Sequence, residues 1–351
     1  MNISALGEFG LIRHIQKRFS RKAPSTLIGI GDDAAALRLS PASVLLATTD
    51  MLLEDVHFDL SLTDFYSLGW KSAAVNMSDI AAMGGVPRFC LVSLGIPSSV
   101  TVERITEFYR GFHALTGAHK AVLVGGDTCL SRKGLVISIT MLGEIEKTAL
   151  ITRSGARPGD RVFVTGPLGD SAAGLALLKT VGRVQRARVK GQGSGVRRID
   201  ENKLIQKHLR PVPRVAAGRK LALSGCASAM IDISDGLSSD LAHICEQSRV
   251  GAEIYPDAIP FSRDILREAG KLRKTPLEYA LSGGEDYELL FTASPAKIQK
   301  LRSLRFSIIE IGKIIRGKDI SLIDRAGKRT PLRPRGYDHF RPTRGRAKRR
   351  I

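Results

Sequence analysis

The chain has 351 residues, is 43% hydrophobic and 25% charged, and carries a formal net charge of +20 at pH 7. That is enough length and apolar content for two domains with real cores. No apolar run reaches the roughly 20 residues a bilayer span needs, the N-terminus lacks a leader pattern, and Cys90, Cys129, Cys226 and Cys245 show no C-x-x-C spacing. A cytoplasmic protein with reduced, mostly buried thiols and no membrane partner is expected.

In chain order, residues 1–19 read as a short helix with an apolar face of Leu6, Phe9, Leu11, Ile12, Ile15 and Phe19. Strands are expected over 44–49, 89–95, 121–124 and 135–142. Helices are expected over 64–83 and 102–119, with Asp64 and Thr101 as N-caps and Phe65 and Trp70 in the core. The turn-rich segment 151–160 reads as a domain junction. The second half restarts with a strand over 161–165 and a helix from Asp170, itself a candidate N-cap. Further helices are expected over 201–208, 213–223 and 237–247, and strands over 228–233, 252–255, 287–292, 307–311 and 320–323. The fold class is α/β (α+β): two mixed α/β domains, residues 1–147 and 148–340, with a ligand in the cleft between them. Residues 181–199 form a basic insert and 341–351 a basic tail.

The charge is concentrated in those two segments. Residues 181–198 hold Arg183, Arg186, Arg188, Lys190, Arg197 and Arg198 with no acid, and residues 341–351 hold another six basic side chains. A solvated loop and tail is the simpler reading; weak, salt-sensitive contact with RNA is the functional alternative.

Against this basic background stand five acidic clusters: GDDAA (31–35), TTD (48–50), NMSD (76–79), GGDT (125–128) and IDISDG (231–236). Aspartate is rarely buried without a partner. Taken singly, each cluster could cap a helix or close a turn. Taken together, as strand ends, they suggest hard oxygen ligands suited to Mg²⁺ and phosphate. There is no G-x-x-x-x-G-K-[ST] loop and no G-x-G-x-x-G after a strand, so any nucleotide is held through metals bridging carboxylates to phosphates. No nucleophile has an evident base. Ser234 lies beside Asp232 and Asp235 without a nearby histidine, and His57 stands alone after the TTD strand.

The motifs GIGDDA (29–34), TTD (48–50) followed by His57 and Phe58, AVNMSDIAAMG (74–84), GGDT (125–128), TRSG (152–155), VTGPLGDSAAG (164–174), HLRPVPR (208–214), IDISDGL (231–237), LSGGEDYEL (281–289) and GYDHF (336–340) resemble, in order and over nearly the whole chain, the thiamine-monophosphate kinase family. That family sits in the superfamily of aminoimidazole ribonucleotide synthetase, selenophosphate synthetase and a hydrogenase-maturation protein. HLRPVPR and LSGGEDYEL point to the thiamine branch.

The resemblance implies ATP-dependent conversion of thiamine monophosphate to thiamine diphosphate, with several Mg²⁺ ions, in a homodimer built through the N-terminal sheets. It implies metal positions at Asp33, Thr48, Thr49, Asp50, Asp79, Asp127, Asp232 and Asp235, of which Asp50, Asp127 and Asp235 carry the catalytic burden. ATP positions are Gly126, Asp127, Arg153 and Ser234, with Tyr109 as an aromatic beside the nucleotide. His57 and Glu285 are implied substrate contacts. An aromatic ring expected just before GYDHF is replaced by Pro334, and Tyr337 is a possible substitute. Asp32, Asp286 and Arg153 also have plain readings, as a turn residue, a turn or salt-bridge residue and a surface ion-pair partner. The competing functions are another ATP-using enzyme of the superfamily, a nucleic-acid-binding homologue and a non-catalytic homologue.

Overall fold

The computed structural model describes residues 26–28, 35–38, 43–188 and 202–335. The expected helix over 1–19, Asp32, Asp33, most of the basic insert, Tyr337 and the tail lie outside the described residues. No described helix is long and apolar enough to cross a membrane.

The first sheet is built from β1 (Thr26–Ile28), β2 (Ala35–Arg38), β3 (Ser43–Leu53), β4 (Val86–Pro97), β5 (Val122–Ser131) and β6 (Val136–Glu146), in the order β1-β2-β3-β6-β4-β5. Helix α1 (Phe65–Ala82) lies against it, and α2 (Val102–Ala118) packs on α1. Strand alternation decides the faces. In β3, Val44, Leu46 and Leu52 are buried while Met51 is 56% exposed, so even-numbered residues face the helices and odd ones face outward.

Helix α1 starts where the Asp64 carboxylate accepts from Ser67 N at 2.7 Å, as an N-cap should. It is buried almost all round, because it touches α2 and the first sheet on one side and the second domain on the other. Small residues make that possible. A Cβ on Gly69 would sit 1.9 Å from Phe108 O, and one on Gly111 would sit 1.8 Å from Tyr66 O.

The second sheet contains β7 (Arg161–Val164), β8 (Ala227–Asp232), β9 (Gly251–Ile254), β10 (Leu289–Ala293), β11 (Ile309–Ile315), β12 (Ile320–Ile323) and β13 (Arg329–Pro331), in the order β13-β12-β9-β11-β7-β10-β8. All its pairings are antiparallel except β12 with β9. Its helices include α3 (Asp170–Arg188), α4 (Lys203–Leu209), α5 (Val215–Ser224) and α6 (Leu237–Ser248). One face of this sheet, with Phe163, Met230, Leu289 and Phe291, joins the core formed around α1. The other, with Val162, Val164, Ile231 and Leu290, packs on α6 and its neighbours.

Several expectations need correction. The TTD and GGDT clusters are not strand ends. Pairing of β3 with β6 runs on to Leu53↔Val136, and pairing of β4 with β5 runs through Ser93↔Asp127 to Pro97↔Ser131. NMSD lies inside α1, and among the described acids of these clusters only Asp232 closes a strand. Asp170 is the first residue of α3 rather than its cap, and accepts from Ser262 Oγ at 2.7 Å. The cap comes from Asp286, which accepts from Gly169 N at 2.6 Å and Ser171 N at 3.1 Å. Thr101 occupies the N-cap position of α2 without a side-chain cap bond. Phe65 and Trp70 are half-buried; the indole N–H donates to Pro211 O at 2.7 Å. The short helices α7 (Arg263–Glu268), α8 (Pro276–Ser282) and α9 (Ile298–Arg302) span too few turns to show a period.

Candidate active site

The turn of α1 at Ser78 and Asp79 ties the two domains at their carboxylates. Thr48 points inward from β3, and its Oγ1 donates to Asp79 Oδ2 at 2.5 Å. Ser78 Oγ donates to Asp232 Oδ2 at 2.5 Å, across the domain boundary. Asp50 follows Thr48 on the inward face. Tyr287 marks where these acids converge. Burial raises its phenol well above the ordinary value, and Glu285, Asp50, Asp232 and Asp79 raise it further.

Beyond β8 the chain turns sharply. Asp235 N and Gly236 N donate to Asp240 Oδ2 at 3.2 and 3.0 Å. Asp240 is 1% exposed. Burial pushes its carboxyl well up, Asp235 and Asp232 add to that, and Arg153 works against them. So Arg153 belongs to this acidic turn rather than to an arbitrary surface acid. Ser234 O accepts from Glu285 N at 2.8 Å, which joins the IDISDG and LSGGEDYEL loops. Arg335 N donates to Ser238 Oγ at 3.2 Å, so exposed Pro334 stands beside the start of α6, close in sequence to Asp235.

Other expected residues are not drawn in. Thr49 faces outward, with Oγ1 donating to Ile139 O at 3.0 Å. Asp127 is exposed in edge strand β5, its Oδ1 accepting from Thr128 N at 2.8 Å. Gly126 has φ +155°, and a Cβ there would lie 1.8 Å from Val92 O, so only glycine lets β5 approach β4 this closely. Tyr109 lines a shallow surface pocket with Tyr66, Thr106, Arg110 and His113, without any of the acids. Among the described residues, no three His, Cys, Asp or Glu side chains stand close enough to share a metal ion.

Adjoining this cleft is a cavity of about 320 Å³ lined by His57, Phe58, Leu62, Lys71, Leu175 and His208 among others. Leu53 N–H donates to His57 Nδ1 at 2.9 Å. That nitrogen is an acceptor, so the proton of the neutral ring sits on Nε2. Glu285 has a left-handed backbone, φ 67°. Its carboxylate is gripped by Lys71 Nζ at 2.7 Å and His208 Nδ1 at 3.2 Å. Burial alone would raise this carboxyl, but Lys71 and then His208 outweigh it and hold the group well below the usual range. For His208, burial first and Lys71 second lower the imidazole, which is therefore neutral. Ser171 Oγ lies 3.1 Å from the same nitrogen.

The HLRPVPR segment braces this wall. Arg210 Nε donates to Ser67 Oγ at 2.9 Å. Arg214 Nε donates to Glu288 Oε2 at 2.7 Å, and Thr165 Oγ1 reaches the same oxygen at 2.6 Å.

Lys71, Tyr287, Asp240 and the Ser78 hydroxyl were not singled out by sequence reasoning. Lys71 had a usable signal: it is the only charged residue among the small and apolar residues between Phe65 and Ser78, and lysine is rarely buried unless paired.

Two halves of one architecture, joined through α1 with their acids at the shared cleft, define the class. Residues 31–145 match the family model "AIR synthase related protein, N-terminal domain", and residues 157–325 match the corresponding C-terminal domain. The thiamine-monophosphate kinase of Bacillus subtilis (strain 168) is 39% identical over 342 residues, 96% of this chain and 100% of that protein. The enzyme of the same name from Escherichia coli (strain K12) is 38% identical over 340 residues, 96% of this chain and 99% of that one. A solved complex, AaThiL with AMPPCP and TMP, superposes with a TM-score of 0.80 at 36% identity, covering 97% of this chain and 99% of that chain. A HypE–HypF complex at 17% identity and TM-score 0.67 shares the fold alone. The chain belongs to the AIR synthase related family and, within it, to the thiamine-monophosphate kinases.

Proposed function

We propose that the protein transfers the γ-phosphoryl group of ATP to the phosphate of thiamine monophosphate. The observation that carries this is the meeting of Asp50 and Asp79 from one domain with Asp232 from the other, next to an apolar cavity edged by His57. The AaThiL complex with AMPPCP and TMP supports the same pair of substrates.

Mg²⁺ fits the residues present. The donors are all oxygen, as a hard cation requires. Burial first, then the charges of Asp235 and Asp232, push the Asp240 carboxyl up, and a cation beside these acids would offset the repulsion among them. That the described residues form no three-acid cage suits an ion that takes phosphate oxygens and waters for most of its shell. Asp50, Asp79, Asp232 and Asp235 would hold it, with Thr48 orienting Asp79 and Ser78 orienting Asp232. When bound it supplies charge neutralisation at the phosphates.

The chain's own residues do the rest. The acceptor is already an anionic phosphate oxygen, so no general base is needed. Two unit charges 4 Å apart repel by about 4 kcal/mol even at an effective dielectric near 20. Catalysis is therefore mainly alignment and charge compensation. Arg153, beside the acidic turn, adds positive charge there. His57 offers Nε2–H as a donor to the acceptor substrate. Gly126 and Asp127 would complete the nucleotide side, with Ser234 at the loop junction.

The assembly that fits this reading is a homodimer through the outer face of the first sheet. Met51, Phe89, Leu91, Val122 and Val124 are exposed on that face and its edge strand, an apolar patch of the kind that marks an interface. An acceptor comparison tests the function. With ATP and Mg²⁺, thiamine monophosphate should be phosphorylated and free thiamine should react poorly, because its neutral hydroxyl needs a base. Equal rates on both, or turnover of neither, would contradict the assignment.

A further inference from the structure

The cavity beside His57 is walled by carbon: Leu62, Leu68, Leu175, Leu178 and Leu209. Two of the residues lining it, Lys71 and His208, are the pair that grips Glu285, which is itself not among the lining residues. Glu285 is therefore joined to the cavity wall through them. Lys71 is 4% exposed, and a buried ammonium is kept only where its charge is matched and its donors are used. One N–H goes to Glu285 Oε1 at 2.7 Å. An ammonium has three donors, and the cavity adjoins the rest. With His208 neutral, Lys71 and Glu285 cancel, so the inner wall is a polar donor without net charge. Asp55 and Asp59 also line this cavity. Lys179 lines it too, so the margin carries charge of both signs. Apolar walls and an inner N–H donor describe a seat for a flat heteroaromatic system bearing a ring acceptor.

We propose that Lys71 is a specificity-determining residue of the acceptor site: held by Glu285, which His208 also grips, its ammonium donates to a pyrimidine ring nitrogen of thiamine monophosphate. This rests on the kinase reading above. His208 and Ser171 are positioning groups that fix Glu285, and Glu285 in turn aims Lys71.

The test compares thiamine monophosphate with two analogues, each having one pyrimidine nitrogen replaced by C–H. Proteins are the wild type, Lys71→Met, Lys71→Arg and the double variant Lys71→Met, Glu285→Gln. A hydrogen bond from a charged donor is worth about ten- to a hundredfold. Lys71→Met should raise KM for thiamine monophosphate by that factor, with kcat and KM for ATP within a few-fold. One of the two analogues should lose the same factor on the wild type and nothing further on Lys71→Met. Lys71→Arg should recover part of the loss. Should Lys71→Met leave Glu285 uncompensated and fail to fold, the double variant removes both charges, and its KM must still be high. The idea is overturned if the folded variants bind thiamine monophosphate like the wild type, if the double variant restores normal KM, or if only the melting temperature changes. A wild-type protein that makes no thiamine diphosphate would overturn the kinase reading, and this inference with it. An active wild type with an unaffected Lys71→Met would overturn this inference alone.

Discussion

Asp232→Asn should separate stability from catalysis. Asp232 is 2% exposed, accepts from Ser78 Oγ, and helps push the Asp240 carboxyl up. Asparagine keeps the shape and can still accept from Ser78 through its carbonyl oxygen. It removes one charge from a crowded buried turn. Two like charges 4 Å apart cost about 4 kcal/mol at an effective dielectric near 20. Part of that is already relieved, because the raised Asp240 carboxyl gives up its proton less readily. A stabilisation of about 1–2 kcal/mol in metal-free protein is expected, a rise of about 2–4 °C per kcal/mol in melting temperature. Activity should move the other way, with kcat down a hundredfold or more, about 2.7 kcal/mol of transition-state stabilisation. Melting in chelator, melting in a Mg²⁺ titration and steady-state kinetics read all three effects. The wild type should gain stability with Mg²⁺ by mass action, and the variant should gain much less. A variant destabilised in chelator, or one with near-normal kcat and an unchanged Mg²⁺ response, refutes the reasoning.

Gly126→Ala should destabilise the chain by about 1–3 kcal/mol and lower activity, since its Cβ would lie 1.8 Å from a backbone oxygen; a variant with unchanged melting and turnover contradicts this. Burial pushes the Asp286 carboxyl up to about 7 against the Gly169 and Ser171 amides, whereas the unfolded group titrates near 3.9. Between about pH 4 and 7 the native state therefore keeps a proton the unfolded chain has lost, so this group's contribution to stability falls as pH rises, by up to about 4 kcal/mol, and is flat above. Asp286→Asn should remove that downward slope from the denaturation profile, and superimposable profiles would dispose of the idea. Pro334→Trp should lower KM for thiamine monophosphate by a few-fold to about tenfold, the worth of one aromatic contact, with kcat within a few-fold; an unchanged or higher KM means the segment does not reach the substrate.

Much of the fold was legible in caps and in runs of apolar residues. The helix over 65–82 and the strand over 320–323 are where periodicity and capping place them. The acids were visible as residues but not as geometry. TTD and GGDT look like strand ends because glycine and threonine interrupt the apolar run, yet sheet pairing carries both strands onward. Thr48 and Thr49 are neighbours in sequence, and strand alternation sends them to opposite faces. Asp286 caps a helix more than a hundred residues away, which no local pattern reveals. Lys71 was readable as an anomaly, but its role depends on Glu285 in the other domain.

The central claim is direct transfer between two phosphates. It is tested most directly by following the γ-phosphoryl group of ATP, made chiral with oxygen isotopes and sulfur, into thiamine diphosphate in the presence of Mg²⁺. The account predicts that the label appears as the terminal phosphate of thiamine diphosphate with inverted configuration and that no labelled protein accumulates. Retained configuration, a phosphorylated enzyme, or release of the label as orthophosphate without thiamine diphosphate would contradict it.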